Sequence, residues 1–180
     1  SDVKFAVSDS IMLRGGLRYT HDTGDQTNFR SDALGPNHVL VVNLIPNSSL
    51  HYKTNNLSGK FGIDYKLDGG NLLYANYSRG YRAKSFNAQA FFDPSELSIA
   101  KPESVDAFEL GAKTQFADRR VTLNMAAFYY KYRNQQFINI SPSTAAQTLE
   151  NIPRSRILGG EAELTARASD NLTLRAGVGL

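Results

Sequence analysis

The triplet Asp22-Thr23-Gly24 matches the one that carries the aspartate of aspartic proteases. That chemistry requires two carboxylates that share one proton. The sequence has no second Asp-Thr-Gly or Asp-Ser-Gly, and this triplet lies in a polar stretch rather than in an apolar one. We therefore interpret the triplet as a turn within a loop and predict no protease.

The histidines offer little more chemistry. His21, His38 and His51 are too scattered to predict a metal-binding triad, and His21 with Asp22 and Asp25 makes at most a weak cation site. The chain has no cysteine, which excludes disulfides, cysteine-based zinc sites and a thiol nucleophile. No Ser/His/Asp set has supporting context. The sequence therefore predicts no enzyme, no metal and no cofactor.

The charge balance argues against a nucleic-acid partner. The formal net charge is +3, from 20 Lys and Arg against 17 Asp and Glu, and the basic residues form no run. The longest wholly apolar stretch, near residues 39–42, is far shorter than the roughly 18–20 residues of a membrane-spanning helix. A mean hydropathy of -0.36 remains compatible with transmembrane strands, because these alternate polar with apolar residues.

The elements that must position any functional residue are indicated by apolar residues at every second position. Successive side chains of a strand point to opposite faces, so each such segment predicts a strand with one polar and one apolar face. The pattern is clear at residues 11–20, 57–66, 108–116, 121–130, 158–167 and 172–180, weaker at 72–77, and follows a short first strand at 2–7.

The connections between these strands alternate between short and long. Short turns rich in Asp, Asn, Ser and Gly are predicted at residues 8–10, 68–70, 117–120 and 169–171. Long polar or irregular loops are predicted at about 21–49, 86–101 and 139–148. If each short turn joins like faces, the opposed residues are Tyr65 with Leu73, Phe116 with Val121, and Ala168 with Leu172.

This arrangement favours a membrane barrel over a soluble sandwich. Sandwich strands usually run about 5–6 residues with turns every 8–12, whereas these strands are longer and their long loops all lie at one end. On the apolar face, Tyr65 and Phe116 lie near the short turns and Tyr19 and Tyr129 near the other end, which predicts two aromatic girdles. The predicted fold class is all-β: an antiparallel up-and-down transmembrane β-barrel segment of about eight strands.

Four stretches of the sequence resemble TonB-dependent outer-membrane receptors. The run YSRGYRAKSFN at residues 77–87 is similar to the family's YSRGF(K/R)…FN signature, and residues 101–113 resemble its PE…ELGxK strand. Residues 15–22 are similar to the GLRYTHD strand end. Residues 151–164, followed by 170–177, resemble the GxExEL…NLTLxAG hairpin. Together the four stretches occur in the family's order along essentially the whole chain.

The resemblance implies a 22-stranded barrel of which residues 1–180 are a partial barrel domain, with the plug domain and the remaining strands absent. It also implies a place in the outer membrane of a bacterium, in contact with lipid. The expected function is active uptake of a scarce nutrient, most commonly a ferric siderophore. TonB, with ExbB and ExbD, would drive uptake through the plug.

Two other functions stay open at this stage. A structural or adhesive eight-stranded barrel is one, although the six-residue first strand is too short to span an apolar band of about 25 Å. A passive porin is the other. A plug domain encoded upstream in the parent gene would exclude both.

The polar face supplies most candidate site residues. These would point into a water-filled lumen, where they either solvate the wall or pair with a plug: Arg14, Arg18, Lys60, Asp64, Glu109, Lys113, Glu161, Glu163, Arg167 and Arg175. Tyr81 and Arg82 lie at the loop-side end of their strand, where an entering ligand would pass. Phe86, Phe91 and Phe92, in the second long loop, either stack on a ligand or pack the loop.

Overall fold

An antiparallel sheet of eight strands makes up most of the chain. The computed structural model describes residues 2–142 and 146–180. In chain order the strands are β1 (Asp2–Ala6), β2 (Ile11–Leu34), β3 (Leu40–Lys66), β4 (Leu72–Arg82), β5 (Ser85–Phe86), β6 (Ile99–Ala100), β7 (Glu103–Phe116), β8 (Val121–Ile140), β9 (Gln147–Ser169) and β10 (Leu172–Gly179). Over these described residues, no helix is long and apolar enough to cross a bilayer.

The sheet has up-and-down topology. Its strand order is β1-β2-β3-β4-β7-β8-β9-β10, so each strand pairs with its neighbour in the chain, apart from β5 and β6, which pair only with each other. This confirms the predicted meander of about eight strands. Within the described residues, β1 and β10 each pair with a single strand and form the two open edges of the sheet.

The short turns confirm two of the three predicted pairings. Tyr65 lies opposite Leu73, and Phe116 lies opposite Val121. In the turn at Asp68–Gly70, Gly69 and Gly70 have φ of 73° and 84°, a left-handed conformation that glycine adopts without steric cost.

The third pairing was wrong at the turn itself. Leu172 lies opposite Ser169 rather than Ala168, because a bulge between Leu172 and Thr173 shifts the register by one residue. Beyond the bulge, Thr173 lies opposite Arg167, which is the register that the sequence predicted. The faces of β9 and β10 therefore agree with the prediction, although the turn does not.

The predicted loop at residues 21–49 was also wrong over most of its length. β2 continues to Leu34 and β3 begins at Leu40, so these strands form one long hairpin. Likewise β8 continues to Ile140 and β9 begins at Gln147, so the loop predicted at 139–148 is shorter than expected. In these extensions the strands stay paired through backbone hydrogen bonds, although apolar and polar side chains no longer alternate. Alternation arises only where one face of the sheet contacts an apolar phase, and strand pairing itself does not require it.

The predicted loop at residues 86–101 is confirmed as an irregular connection that carries its own small core. Ile45 of β3 and Ala90 are fully buried, and so is Glu96 in the turn Pro94–Glu96. The Asn87 side chain donates to the backbone oxygens of Glu96 and Gln147, over 2.9 and 2.6 Å. The bond to Gln147, the first residue of β9, connects the loop to the long-loop end of the sheet.

Candidate functional site

Strand register places all ten predicted lumen residues on one face of the sheet. Directly opposed residues of an antiparallel pair share a face. Arg14 of β2 lies opposite Gly62 of β3, and Gly62 lies opposite Asn76 of β4, which lies opposite Glu109 of β7. The register of β8, β9 and β10 places the predicted lumen residues of β9 and β10 on this face in the same way. We refer to this surface as the polar face.

The polar face carries a hydrogen-bonded cluster near its centre. The Arg14 guanidinium donates to the Asp64 carboxylate over 2.6 Å and to the Asn76 side-chain oxygen over 3.0 Å. A Cβ atom at Gly62 would lie 2.6 Å from that same Asn76 oxygen, so a larger residue there would displace the Asn76 side chain from this position. A cavity of about 390 Å³ beside the cluster is lined by Lys60 and Glu109 among others. Such a surface is suited to water or to a polar protein surface, not to lipid.

The opposite surface, which we call the apolar face, is apolar over the part of the strands that lies nearer the short turns. Tyr77, Phe108 and Tyr129 form a row across β4, β7 and β8, with ring centroids 5.0 and 6.4 Å apart. Leu110 and Leu158 are 64% and 78% exposed. Exposed apolar surface of this extent is unfavourable in water and indicates contact with an apolar phase.

Tyr81 lies at the long-loop end of β4, beside residues of the polar face. Its hydroxyl donates to Asp22 Oδ2 over 2.9 Å. The two side chains border a cleft of about 220 Å³ that Arg18 and Ser58 also line. Arg82 extends towards Glu103, with 4.0 Å between Nη1 and Oε2, and its side chain is 61% exposed. Tyr81 thus presents a polar group at the entrance to the polar face.

The three loop phenylalanines have different surroundings. The ring of Phe86 packs against Tyr52, with centroids 5.2 Å apart, so it stabilises the loop. Phe91 and Phe92 contact each other edge to face at 6.5 Å and are both exposed. The hydrogen bonds and ring contacts of the described residues do not join Phe91 or Phe92 to Tyr81. The structure therefore separates the five predicted ligand-contact residues into the exposed pair Phe91 and Phe92, the neighbours Tyr81 and Arg82 of which only Arg82 is exposed, and the packing residue Phe86.

The residues around Asp22 that suggested other chemistry have separate partners. Asp22 accepts from Tyr81, His21 Nδ1 pairs with Asn55 Oδ1 at 2.6 Å, and His51 pairs with Asp25. In the part of the chain that the structure describes, no three His, Cys, Asp or Glu side chains converge as metal ligands. Each of these polar side chains thus pairs with a side chain of another strand, which explains its presence without a metal or a catalytic role.

Two carboxylates on the long-loop side have lowered pKa values. Hydrogen bonds from the Asn139 amide and the Thr148 hydroxyl, of 3.1 and 2.9 Å, hold the pKa of Glu150 below its ordinary 4.5. Hydrogen bonds from Ser95 lower the pKa of Asp93 in the same way. Both stabilise the charged form, so these contacts are present at neutral pH.

Sequence reasoning missed two buried acids, Glu96 in the loop and Asp106 on the sheet. Asp106 is 7% exposed and accepts a hydrogen bond from the Tyr77 hydroxyl at 2.9 Å. Arg133 lies 3.2 Å and Arg79 3.9 Å from its oxygens. Alternation along β7 could have indicated the position of Asp106. It lies two residues before Phe108, so the two side chains share a face, and Asp106 belongs to the apolar face.

Comparison with known proteins gives one family throughout. The profile of the TonB dependent receptor-like, beta-barrel family matches residues 2–180. The pesticin receptor of Yersinia pestis is 27% identical over 168 residues, and a probable TonB-dependent siderophore receptor, PiuA, of Acinetobacter baumannii is 29% identical over 121. These matches cover 91% and 64% of this chain. The chain spans only 22% and 16% of the lengths of these curated relatives.

Solved structures of low sequence identity share the fold. The ferric yersiniabactin uptake receptor FyuA from Yersinia pestis superposes with a TM-score of 0.71 at 19% identity, over 99% of this chain and 26% of that one. The copper transporter OprC superposes with a TM-score of 0.72 at 16% identity, over 98% and 27%. The ferripyoverdine receptor of Pseudomonas aeruginosa gives 0.62 at 19%, over 98% and 21%.

Proposed function

Because the chain belongs to the TonB-dependent receptor β-barrel family, we propose that it forms part of the barrel wall of an outer-membrane receptor. The receptor takes up a bulky, scarce nutrient by active transport. The observation that carries this proposal is the division of one continuous sheet into a polar face, with the Arg14–Asp64–Asn76 cluster, and an apolar face.

In this proposal the apolar face contacts lipid and the polar face lines the lumen. A bilayer offers backbone groups no hydrogen-bond partners, so a spanning sheet must close on itself. The edges at β1 and β10 therefore require further strands of the same receptor. Residues 1–180 then constitute a partial barrel domain, and the plug domain and the remaining strands belong to the rest of the receptor.

A ferric siderophore is the cargo that we propose. Among the relatives, PiuA is named a siderophore receptor, and structural neighbours include receptors for ferric yersiniabactin and ferripyoverdine. Ferric chelates are large and often anionic, so exposed aromatic and cationic side chains at the long-loop end suit them. We assign initial contact to Phe91 and Phe92 in the loop, and contact on the way into the lumen to Tyr81 and Arg82.

Energy for uptake comes from TonB with its partners ExbB and ExbD in this proposal. The contact with TonB is made by the plug domain, not by the barrel wall. The wall residues Glu109, Lys113, Glu161 and Glu163 lie on the polar face, where they can pair with a plug. No step of this function breaks or forms a covalent bond, so no catalytic residue is assigned.

Growth and uptake assays on the whole receptor test the proposal. A strain that lacks the receptor gene is starved of iron and complemented with wild type or with a triple variant, Arg82→Ala, Phe91→Ala and Phe92→Ala. Uptake of radioactive iron is measured with a panel of ferric siderophores. We expect uptake of one chelate to require both the receptor and TonB, and to fall in the triple variant.

The matched control places alanines at the other end of the strands. Asp68 and Asp170 lie in short turns, and we expect the substitutions Asp68→Ala and Asp170→Ala to leave uptake unchanged. Uptake that persists without TonB would identify a passive porin. Absence of any receptor-dependent uptake, with the barrel assembled, would favour a structural barrel.

A further inference from the structure

A cluster of basic side chains lies on the apolar face, directly beyond its last aromatic row on the long-loop side. We call this cluster the basic rim. Its members are Arg79 of β4, Lys131 and Arg133 of β8, and Arg154 and Arg156 of β9. The rim is distinct from the polar face that lines the proposed lumen.

Strand register shows that the rim shares a face with the aromatic residues. One row of directly opposed residues is Tyr77, Phe108, Tyr129 and Leu158. The next row on this face is Arg79, Asp106, Lys131 and Arg156, and the row after that opposes Arg133 to Arg154. Because side chains alternate along a strand, consecutive rows on one face are two residues apart.

The rim begins where the charge-free part of the apolar face ends. On β8 this part runs from Val121 through Met125 to Tyr129 and carries no charged residue. At about 3.3 Å per residue its length is roughly 27 Å along the strand, and at a strand tilt of about 40° this covers about 20 Å of the membrane normal, most of the apolar band of about 25 Å in outer-membrane barrels. The rim therefore lies at the level of the lipid headgroups on the long-loop side.

The charges of the rim are not balanced within the chain. Asp106 is the single carboxylate in these rows, and it already bonds Tyr77 and lies beside Arg79 and Arg133. Within the residues that the structure describes, Lys131, Arg154 and Arg156 make no ion pair or side-chain hydrogen bond, and all three are exposed.

The register also opposes like charges directly. Lys131 lies opposite Arg156, and Arg133 lies opposite Arg154. Like charges at directly opposed positions destabilise an antiparallel pair. An anion between the two strands would remove this repulsion, and the planar guanidinium groups of arginine bind phosphate with two parallel hydrogen bonds.

We propose that the basic rim binds the phosphate groups of a lipopolysaccharide molecule in the outer leaflet, whose acyl chains lie along the row from Tyr77 to Leu158. Five cations against one carboxylate complement a headgroup with several phosphates better than a headgroup with one. This inference rests on the proposed function in one respect, the assignment of the apolar face to lipid. It adds a lipid site that is separate from the path of the transported nutrient.

The test compares lipid retained by two forms of the whole receptor. One is the triple variant Lys131→Gln, Arg154→Gln and Arg156→Gln. The control, Lys113→Gln, Arg167→Gln and Arg175→Gln, removes equal charge from the polar face. Each is purified in a mild nonionic detergent, and bound lipopolysaccharide is counted by native mass spectrometry. We expect wild type and control to retain about one molecule, and the rim variant to retain about tenfold less or lower.

A second measurement needs no variant, which keeps the proposal testable if the rim variant does not assemble. Delipidated wild-type receptor is titrated with lipid A carrying two phosphates, with dephosphorylated lipid A, with phosphatidylglycerol and with inorganic phosphate. Only the first is expected to bind tightly, and the binding should weaken as salt is raised.

Several results would overturn the proposal. Equal retention by the rim variant and the control is one. Equal affinity for phosphatidylglycerol would reduce the rim to a general anchor for anionic lipid, and equal affinity for inorganic phosphate would leave no role for the lipid. Iron uptake is measured separately, in cells that express the wild-type receptor, and does not depend on these outcomes, so failure of the lipid site is distinguishable from failure of the proposed transport function.

Discussion

The Tyr77 hydroxyl donates a hydrogen bond of 2.9 Å to Asp106, although the two residues belong to different rows of the apolar face. Tyr77 lies in the last aromatic row, and Asp106 in the first charged row. The bond therefore crosses the boundary between the apolar band and the headgroup level. It also satisfies a carboxylate that is 7% exposed and would otherwise depend on Arg133 and the more distant Arg79.

The substitution Tyr77→Phe should lower the stability of the assembled receptor. It removes one hydrogen bond to a largely buried charge, and we expect a loss of about 1–2 kcal/mol. Tyr129→Phe is the matched control, since Tyr129 lies in the same row and the described residues give its hydroxyl no partner. Denaturant midpoints of the two variants in detergent make the comparison. Equal midpoints would mean that the Asp106 bond contributes nothing to stability.

Sequence pattern predicts the strands well where one face meets an apolar phase. Tyr65 and Leu73 could be paired from the sequence because a slip of one residue would turn an entire apolar set towards the lumen. Above the apolar band that constraint disappears. Asp22 and Thr54 lie opposite each other in a regular ladder, yet the residues around them do not alternate between apolar and polar.

The candidate site was less predictable because its contacts join residues that are distant in the sequence. Tyr81 bonds Asp22 across 59 positions, and Phe86 packs on Tyr52. Neither contact follows from alternation. The β8 part of the basic rim, in contrast, follows from alternation alone once the face of Tyr129 is known, since Lys131 and Arg133, two and four residues further on, must share that face.

Charges introduced into the middle of the apolar face should block assembly. Leu110→Arg and Leu123→Arg each place a cation among lipid tails, at a cost of about 2–4 kcal/mol near the midplane. Lys113→Leu, on the polar face, should assemble normally. The yield of heat-modifiable barrel in purified outer membranes provides the measurement. Equal yields from all three variants would contradict the assignment of faces.

The two ends of the strands should differ in accessibility from outside the cell. Cysteines at Asn28 and Phe91 are expected to react with a membrane-impermeant thiol reagent on intact cells. Cysteines at Asp68 and Asp170, in the short turns, should react only after lysis. The chain has no native cysteine to interfere. Labelling of the second pair on sealed cells would reverse the orientation.

The paired ends of β8 and β9 on the long-loop side should loosen in acid. The pKa of Glu150 is lowered by hydrogen bonds from Asn139 and Thr148, so the charged form stabilises these strand ends. That stabilisation is complete above the ordinary pKa of 4.5 and is lost as the pH falls through the lowered value. Hydrogen exchange at these strand ends, corrected for intrinsic rates, should therefore speed up as the pH falls below 4.5.

The variant Glu150→Gln is the control for this acid effect. A glutamine stays neutral throughout, so exchange at these strand ends should be faster than in wild type at pH 7 and should no longer depend on acid. If wild type and variant respond to acid alike, other carboxylates must govern the stability of these strand ends.

The isolated 180-residue chain should not behave as a soluble monomer. β1 and β10 each leave one edge of backbone donors and acceptors unpaired, and such edges template aggregation. On the apolar face, Leu17, Leu110 and Leu158 are each more than 60% exposed, so water would contact a broad apolar surface. Insertion into a bilayer does not solve the problem, because unpaired backbone groups at the edges cost several kcal/mol each in hydrocarbon.

Only further strands can satisfy both edges, so autonomous folding is the sharpest test of whether this sheet is a wall segment. We expect expression of the chain alone to give inclusion bodies, or detergent-dependent oligomers with the circular dichroism of β-structure. Sedimentation and thermal unfolding without detergent provide the measurement. A monomer that unfolds cooperatively under those conditions would mean that the apolar face is covered within the chain itself, as in a soluble sandwich, and the barrel assignment would have to be abandoned.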